Sequence, residues 1–155
     1  MANDGKKSEE LIRVMLKSYQ ETESAYFNRL YDSTTAKGGF VPPQAGDFMG
    51  MFEGTGYVIE VKSSERRTTM LEVPRSYIRD SQIIGPRLYI RAGGSGLFIF
   101  HSLATDTFEL FDSKDIVKWW LGKGKLSTKM ILARAKGKAA FKKKLLSYFK
   151  AVVIL

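Results

Sequence analysis

The chain has 155 residues, 44% hydrophobic and 26% charged, with a net charge of +9, a pI near 9.7 and no cysteine. This composition excludes a disordered chain, disulfides and thiolate metal sites, and it suits one domain with a sizeable core. No apolar run is long enough to span a bilayer and the N-terminus lacks a signal-peptide core, so the positive charge points to a polyanion in the cytoplasm, nucleic acid first, and not to a membrane.

In chain order, Ser8 is placed to cap a helix running to about residue 31, with Glu9 and Glu10 in its first turn. Ile12, Leu16, Tyr19, Glu23, Tyr26, Phe27 and Leu30 recur at spacings of three and four, the stripe of one helix face. Glu23 is the one acid in that stripe. A carboxyl turned toward a core asks for a partner, either a metal site or a cap or salt bridge. Residues 32–46, rich in glycine, proline and small polar residues, form a long connection of a kind that often carries function. Lys37 within it is a phosphate contact or an ordinary solvated lysine.

Residues 47–52 read as a strand, Gly54 and Gly56 as turn residues, and residues 57–63 as a second strand, together a hairpin centred near residue 54. Side chains alternate, so Val58, Glu60 and Lys62 share one face and Tyr57, Ile59 and Val61 the other. The hairpin sets Asp47 roughly opposite Glu60 or Lys62. A strand this apolar is expected to be buried, and a buried carboxylate beside a lysine is costly unless paired or metal-bound. Two carboxylates and a lysine at one end of a hairpin suit a hard divalent cation, Mg²⁺ or Mn²⁺, and a phosphate. A water on the cation can become the attacking hydroxide, while cation and lysine take up charge on the phosphate. The chemistry expected is metal-assisted phosphodiester hydrolysis. A bare Glu-x-Lys is also common as a surface pair on an edge strand. The aspartate at this distance, the apolar strand and the basic chain favour the site. Asp112-Ser113-Lys114 is a weaker match, because Asp112 or Ser113 is placed to cap a helix over 115–121.

Residues 63–69 are polar and basic, with Arg66 and Arg67 as phosphate contacts. Residues 75–92 fit a helix through Tyr77, Ile84, Leu88 and Arg91, or a strand through the alternation of Leu88 and Ile90 with arginine and tyrosine. Gly85-Pro86 would kink or delay the helix. A turn at 92–96 leads to strands at 97–101 and 107–111. His101, the single histidine, is expected to be structural. The last third reads as helical and basic: a short helix carrying Trp119 and Trp120, then two helical segments over 126–150 divided at Gly137. Its lysines, including Lys123, Lys125 and Lys129, form a solvated face, a membrane-surface helix or, beside a phosphodiester-hydrolysing site, a footprint for DNA backbone.

A first helix with a glutamate, a loop, a D-x12-E-x-K hairpin, then helix and strands: this order resembles the PD-(D/E)xK nuclease superfamily and, within it, the Holliday junction resolvases of the RecU and archaeal types. Asp47, Glu60 and Lys62 match the signature at the separation usual in those resolvases. Glu23 would correspond to the first-helix glutamate. Ser81-Gln82 looks like the polar pair on the following helix, where the glutamine supports the site, and this favours a helix over 75–92. Residues 94–100 and 115–120 are similar to the RecU-type strand and later helix, so the resemblance covers about residues 20–121. Gly46-Asp47 stands where the superfamily nominally has Pro-Asp. The connection over 32–46 is much shorter than the RecU-type stalk, which bears on junction specificity.

The resemblance implies an α/β, restriction-endonuclease-like core of about residues 8–121, a central mixed β-sheet flanked by helices. It would form a single nuclease domain, 1–155, with a basic helical C-terminal extension over about 122–155. It implies a Mg²⁺-dependent endonuclease, Mn²⁺ substituting, that resolves Holliday junctions by paired symmetric nicks as a homodimer, with residues such as Phe40 at the interface. Asp47 and Glu60 would ligate the metal, with the Val61 carbonyl as a third protein ligand. Lys62 would orient or activate water and stabilise charge on the phosphate, Glu23 would hold the metal through water or bind a second ion, and Gln82 would support them. Lys37, Arg66, Arg67, Lys123, Lys125 and Lys129 would contact DNA. The alternatives are a nuclease of the same fold acting on linear, flap or damaged DNA, and a non-catalytic basic DNA-binding or host-interaction protein.

Overall fold

The computed structural model describes residues 4–22, 24–30 and 44–154. The elements are α1 (Asp4–Thr22), β1 (Ala25–Arg29), β2 (Phe48–Phe52), β3 (Thr55–Ser64), α2 (Ser81–Arg91), β4 (Ser95–Ser102), β5 (Thr107–Asp112), α3 (Ser113–Trp120), β6 (Ile131–Lys136) and α4 (Lys138–Ile154), with short 3-10 turns at Met70–Glu72, Arg75–Tyr77 and Thr128–Met130. The strands form one sheet in sequence order. Only β3 and β4 pair in parallel; the other neighbours are antiparallel. A parallel pair needs a crossover, and the segment that supplies it ends in α2, which is thereby laid over the middle of the sheet.

The hairpin forms where the glycines mark it. Glu53 and Gly54 both have positive φ, 44° and 89°, the two-residue geometry that matches the right-handed twist of the flanking strands. Alternation then sorts the strands into two faces. Tyr57, Ile59 and Val61 join Leu97, Ile99, Phe108 and Leu110 in a core closed by α1 and α4. Phe98, Phe100 and Phe111 form a second core with Ile83 of α2 and Ile116 of α3. Helices thus cover both faces of a mixed sheet, the α/β arrangement expected.

Two expectations are corrected. The first helix ends at Thr22, not near residue 31, and residues 25–29 are an edge strand paired with β2, Phe27 opposite Gly50. Phe27 points inward while Tyr26 and Asn28 point out, so pairing with β2 decides the local structure and the helical spacing beyond Tyr19 is coincidental. Ser8 is not a cap: it lies within α1, fully buried, with its Oγ 2.8 Å from His101 Nδ1. Secondly, residues 131–136 are a strand, not helix, with Ala133 and Ala135 turned to the core and Leu132, Arg134 and Lys136 exposed. Gly137, at φ +83°, separates β6 from α4.

The lysine-rich helix is also part of the core. Phe141, Leu145 and Phe149 are completely buried, and the Phe149 ring stacks on Phe52 at 5.0 Å and meets the edge of Tyr57 at 4.9 Å. Burying each such side chain is worth about 1.5–3 kcal/mol. Residues 81–91 are helical, with Pro86 inside the helix, and Asp112 caps α3 by accepting from the Lys114 N–H at 2.8 Å. Among the described residues no helix is long and apolar enough to cross a membrane.

Candidate active site

Register brings the two acids of the hairpin together. Phe48 pairs with Ile59, so the residue before Phe48 falls across from the residue after Ile59. Asp47 donates its N–H to the Ile59 carbonyl at 2.9 Å and accepts, through Oδ2, the Val61 N–H at 2.7 Å. The Asp47 and Glu60 carboxyls stand close enough for each to shift the other's proton affinity. Glu60 and Lys62 point to the α2 face of β3, in line with Phe98 and Phe100 of β4. In a strand one residue's N–H and C=O lie on the same edge, so the Val61 carbonyl faces the side where Asp47 sits.

Small residues permit this approach. A Cβ on Gly46 would lie 2.7 Å from Val58 Cγ2, 3.0 Å from the Ile59 carbonyl oxygen and 3.4 Å from Glu60 Oε2. Position 46 thus has no room for a side chain. A Cβ on Gly85 would lie 2.8 Å from Ala45 Cα, so Gly85 lets α2 pack against the segment that leads into Asp47. Gln82 of α2 is thereby placed to donate from Nε2 to Glu60 Oε1 at 3.3 Å, while its Oε1 accepts the Arg79 N–H at 2.9 Å.

A third carboxyl comes from α1. Glu9 lies close enough to Asp47 to raise its pKa and is ion-paired to Arg29 at 2.8 Å, next to the Arg13–Glu10 pair at 2.6 Å. The glutamate that α1 brings to Asp47 is Glu9. Glu23 lies beyond the end of α1, outside the described residues, as does Lys37. The stripe formed by Ile12, Leu16 and Tyr19, continued one turn back, lands on Ser8 and Glu9.

The electrostatics follow from burial and crowding. Burial, then the charges of Glu60 and Glu9, hold Asp47 well above the usual carboxylate range. Glu60 is pushed up to about 8, chiefly by burial, with hydrogen bonds from Gln82 and Asp47 opposing. Burial and the nearby Arg79 lower the Lys62 ammonium. Carboxyls packed this closely cannot all ionise without a cation. No three His, Cys, Asp or Glu among the described residues are grouped so as to enclose a metal ion. Two carboxylates and a carbonyl nevertheless fit Mg²⁺, which keeps several waters and is commonly held by one or two protein carboxylates.

The basic candidates are dispersed. Arg66 is exposed on the loop after β3. Arg67 is engaged within that loop, donating to the Glu72 carbonyl at 2.9 Å and stacking over Tyr77 at 4.5 Å. Lys123, Lys125 and Lys129 are exposed on the connection from α3 to β6. A row runs Glu60, Phe98, Phe111, Ile131 across four strands, so Lys129 stands near a point roughly 14 Å from Glu60 at about 4.8 Å per strand. The lysines of α4 lie over the opposite face of the sheet. His101 is buried between Ser8 and Asp106 Oδ1, the latter at 2.8 Å, a structural position as expected.

No protein-family model matches the chain. No curated protein matches it either. Among solved structures it is similar to Hjc of Archaeoglobus fulgidus, a Holliday junction resolvase from an archaeal hyperthermophile, with a TM-score of 0.45 and 13% identity over 68% of this chain and 76% of that one.

Proposed function

We propose that the chain is a Mg²⁺-dependent endonuclease, Mn²⁺ substituting, that nicks four-way DNA junctions as a pair of identical subunits. The observation that carries this reading is the meeting of the Asp47 and Glu60 carboxyls at one end of the β2–β3 hairpin, with Lys62 two residues further along the same face. When bound, the cation supplies Lewis acidity and a water of lowered pKa. Asp47 and Glu60 would hold it, with the Val61 carbonyl alongside, and Gln82 would keep the Glu60 carboxyl turned toward it.

Lys62 serves in two capacities. Its lowered proton affinity suits it to exchange a proton with the attacking water, and in its charged form it neutralises the phosphate as charge builds there. A water oxygen bonds to phosphorus, one P–O ester bond breaks, and the departing oxygen takes up a proton. Glu9 takes the role assigned by resemblance to Glu23, holding Asp47 or an outer water. Arg66, Lys123, Lys125 and Lys129 would meet backbone phosphates, a sequence-independent attraction that a chain of net charge +9 favours. Two strands of a junction are cut symmetrically only by two sites related by a twofold axis, hence the pair of subunits.

The test is digestion of a synthetic four-way junction and a linear duplex of the same sequence with Mg²⁺. Paired symmetric nicks confined to the junction bear the reading out. Equal cutting of the duplex indicates a nuclease of linear DNA, and binding without cutting indicates a DNA-binding protein.

A further inference from the structure

Arg79 stands just before α2 and bonds twice to Gln82 through its backbone. Its N–H donates to Gln82 Oε1 at 2.9 Å, and its carbonyl accepts the Gln82 N–H at 3.0 Å. The preceding residue is anchored as well: Ile78 is buried, and its carbonyl accepts from Trp120 Nε1 at 3.1 Å. The backbone at Arg79 is thus fixed on both sides, and the other end of the Gln82 amide meets the Glu60 carboxyl. The Arg79 side chain is exposed. Its guanidinium lies near enough to Glu60 and Lys62 to lower the proton affinity of both.

Arg13, Arg29 and Arg134 each pair with a carboxylate, and Arg67 is held by a carbonyl and a ring. The Arg79 guanidinium has no such partner among the described residues. Two like charges set side by side repel, and an anion held between them relieves both. We propose that Arg79 is a catalytic residue that grips the non-bridging oxygens of the phosphate under attack. The planar fork of a guanidinium matches two such oxygens, and it stays charged whichever group of the site holds a proton. The phosphodiester gains negative charge as the water oxygen bonds to phosphorus, so the contact strengthens toward the transition state and raises the rate more than the affinity. In this it differs from Arg66 and the lysines, which would hold phosphates that do not react. The proposal rests on the nuclease reading for the phosphate that Arg79 engages.

The test is single-turnover cleavage, at saturating protein and Mg²⁺, of the DNA that wild-type protein cuts, junction or duplex. Arg79→Ala should lower the rate constant at least about 100-fold, with binding of the uncut DNA little changed. The side chain is exposed and the backbone bonds to Gln82 remain, so the melting temperature and the Mg²⁺ midpoint should also hold. Arg79→Lys should recover only part of the rate, because an ammonium makes no fork. Free guanidinium ion, too dilute to unfold the protein, should restore part of the rate to Arg79→Ala and none to Glu60→Ala. An Arg79→Ala protein that cuts at the wild-type rate, or whose loss lies wholly in DNA binding or in the Mg²⁺ midpoint, overturns the proposal and leaves the nuclease reading standing. Wild-type protein that cuts neither DNA overturns both.

Discussion

The Gln82 amide and the Glu60 carboxyl meet at 3.3 Å, with the other end of the amide fixed by the Arg79 N–H at 2.9 Å. Both ends of Gln82 are used, so its orientation is set by the start of α2. Partners that orient a metal ligand are typically worth 10–100-fold in metal affinity or activity. Gln82→Ala should therefore raise the Mg²⁺ concentration for half-maximal cleavage at least about tenfold, with little change in melting temperature. A cleavage titration with Mg²⁺ checks this; an unchanged midpoint would leave Gln82 without the supporting part assigned to it.

The buried acids make cation binding depend on pH. Glu60 titrates near 8 and Asp47 is also raised, whereas an unfolded Glu titrates near 4.3. Between those values the folded, metal-free protein holds protons that the unfolded chain has released, so its stability falls as pH rises through that window. Mg²⁺ must displace the same protons, so its affinity should rise from pH 6 to about pH 8, then level off. Calorimetric titration in buffers of different ionisation enthalpy should show proton release at pH 7. Mg²⁺ binding without proton release would contradict the protonated carboxyl pair.

Gly46 sits where a side chain has no room, 2.7 Å from Val58 Cγ2 and 3.0 Å from the Ile59 carbonyl. Overpacking of this kind costs about 1–3 kcal/mol. Gly46→Ala should lower stability by that order and displace Asp47, so that cleavage falls by more than the loss of folded protein explains. Denaturant unfolding and cleavage rate, measured on the same sample, separate the two effects.

Ser8 and His101 tie α1 to β4 at 2.8 Å within the core. Ser8→Ala leaves a buried imidazole nitrogen without its hydroxyl partner, a change worth about 1–3 kcal/mol. The turn of α1 that loosens also carries Glu9. Urea unfolding should show the loss of stability, and an unchanged midpoint would mean that α1 is held by its apolar stripe alone.

The hairpin was legible because its determinants are local: glycine in the turn, alternation in both strands, and a register that follows from turn length. Asp47 and Glu60 come together for those reasons alone. The edge strands β1 and β6 were not legible in the same way. Each is short, and residues 25–29 and 131–136 become strands through pairing with β2 and β5, which helical spacing nearby conceals. At Glu9 the signal is masked, because a serine of capping type directly before it gives it the look of a first-turn acid. The apolar stripe continued back from Ile12 places both residues on the inner face. In α4 the lysines drew attention to charge, while Phe141, Leu145 and Phe149, every fourth residue, mark the face that closes the core.

The most direct measurement is single-turnover cleavage of a synthetic four-way junction by wild-type protein and by Glu60→Ala, with binding followed in parallel. Wild type should cut with Mg²⁺ and stop when the cation is chelated, while Glu60→Ala should bind the junction about as well and leave it intact. Equal cutting by both proteins would contradict the site.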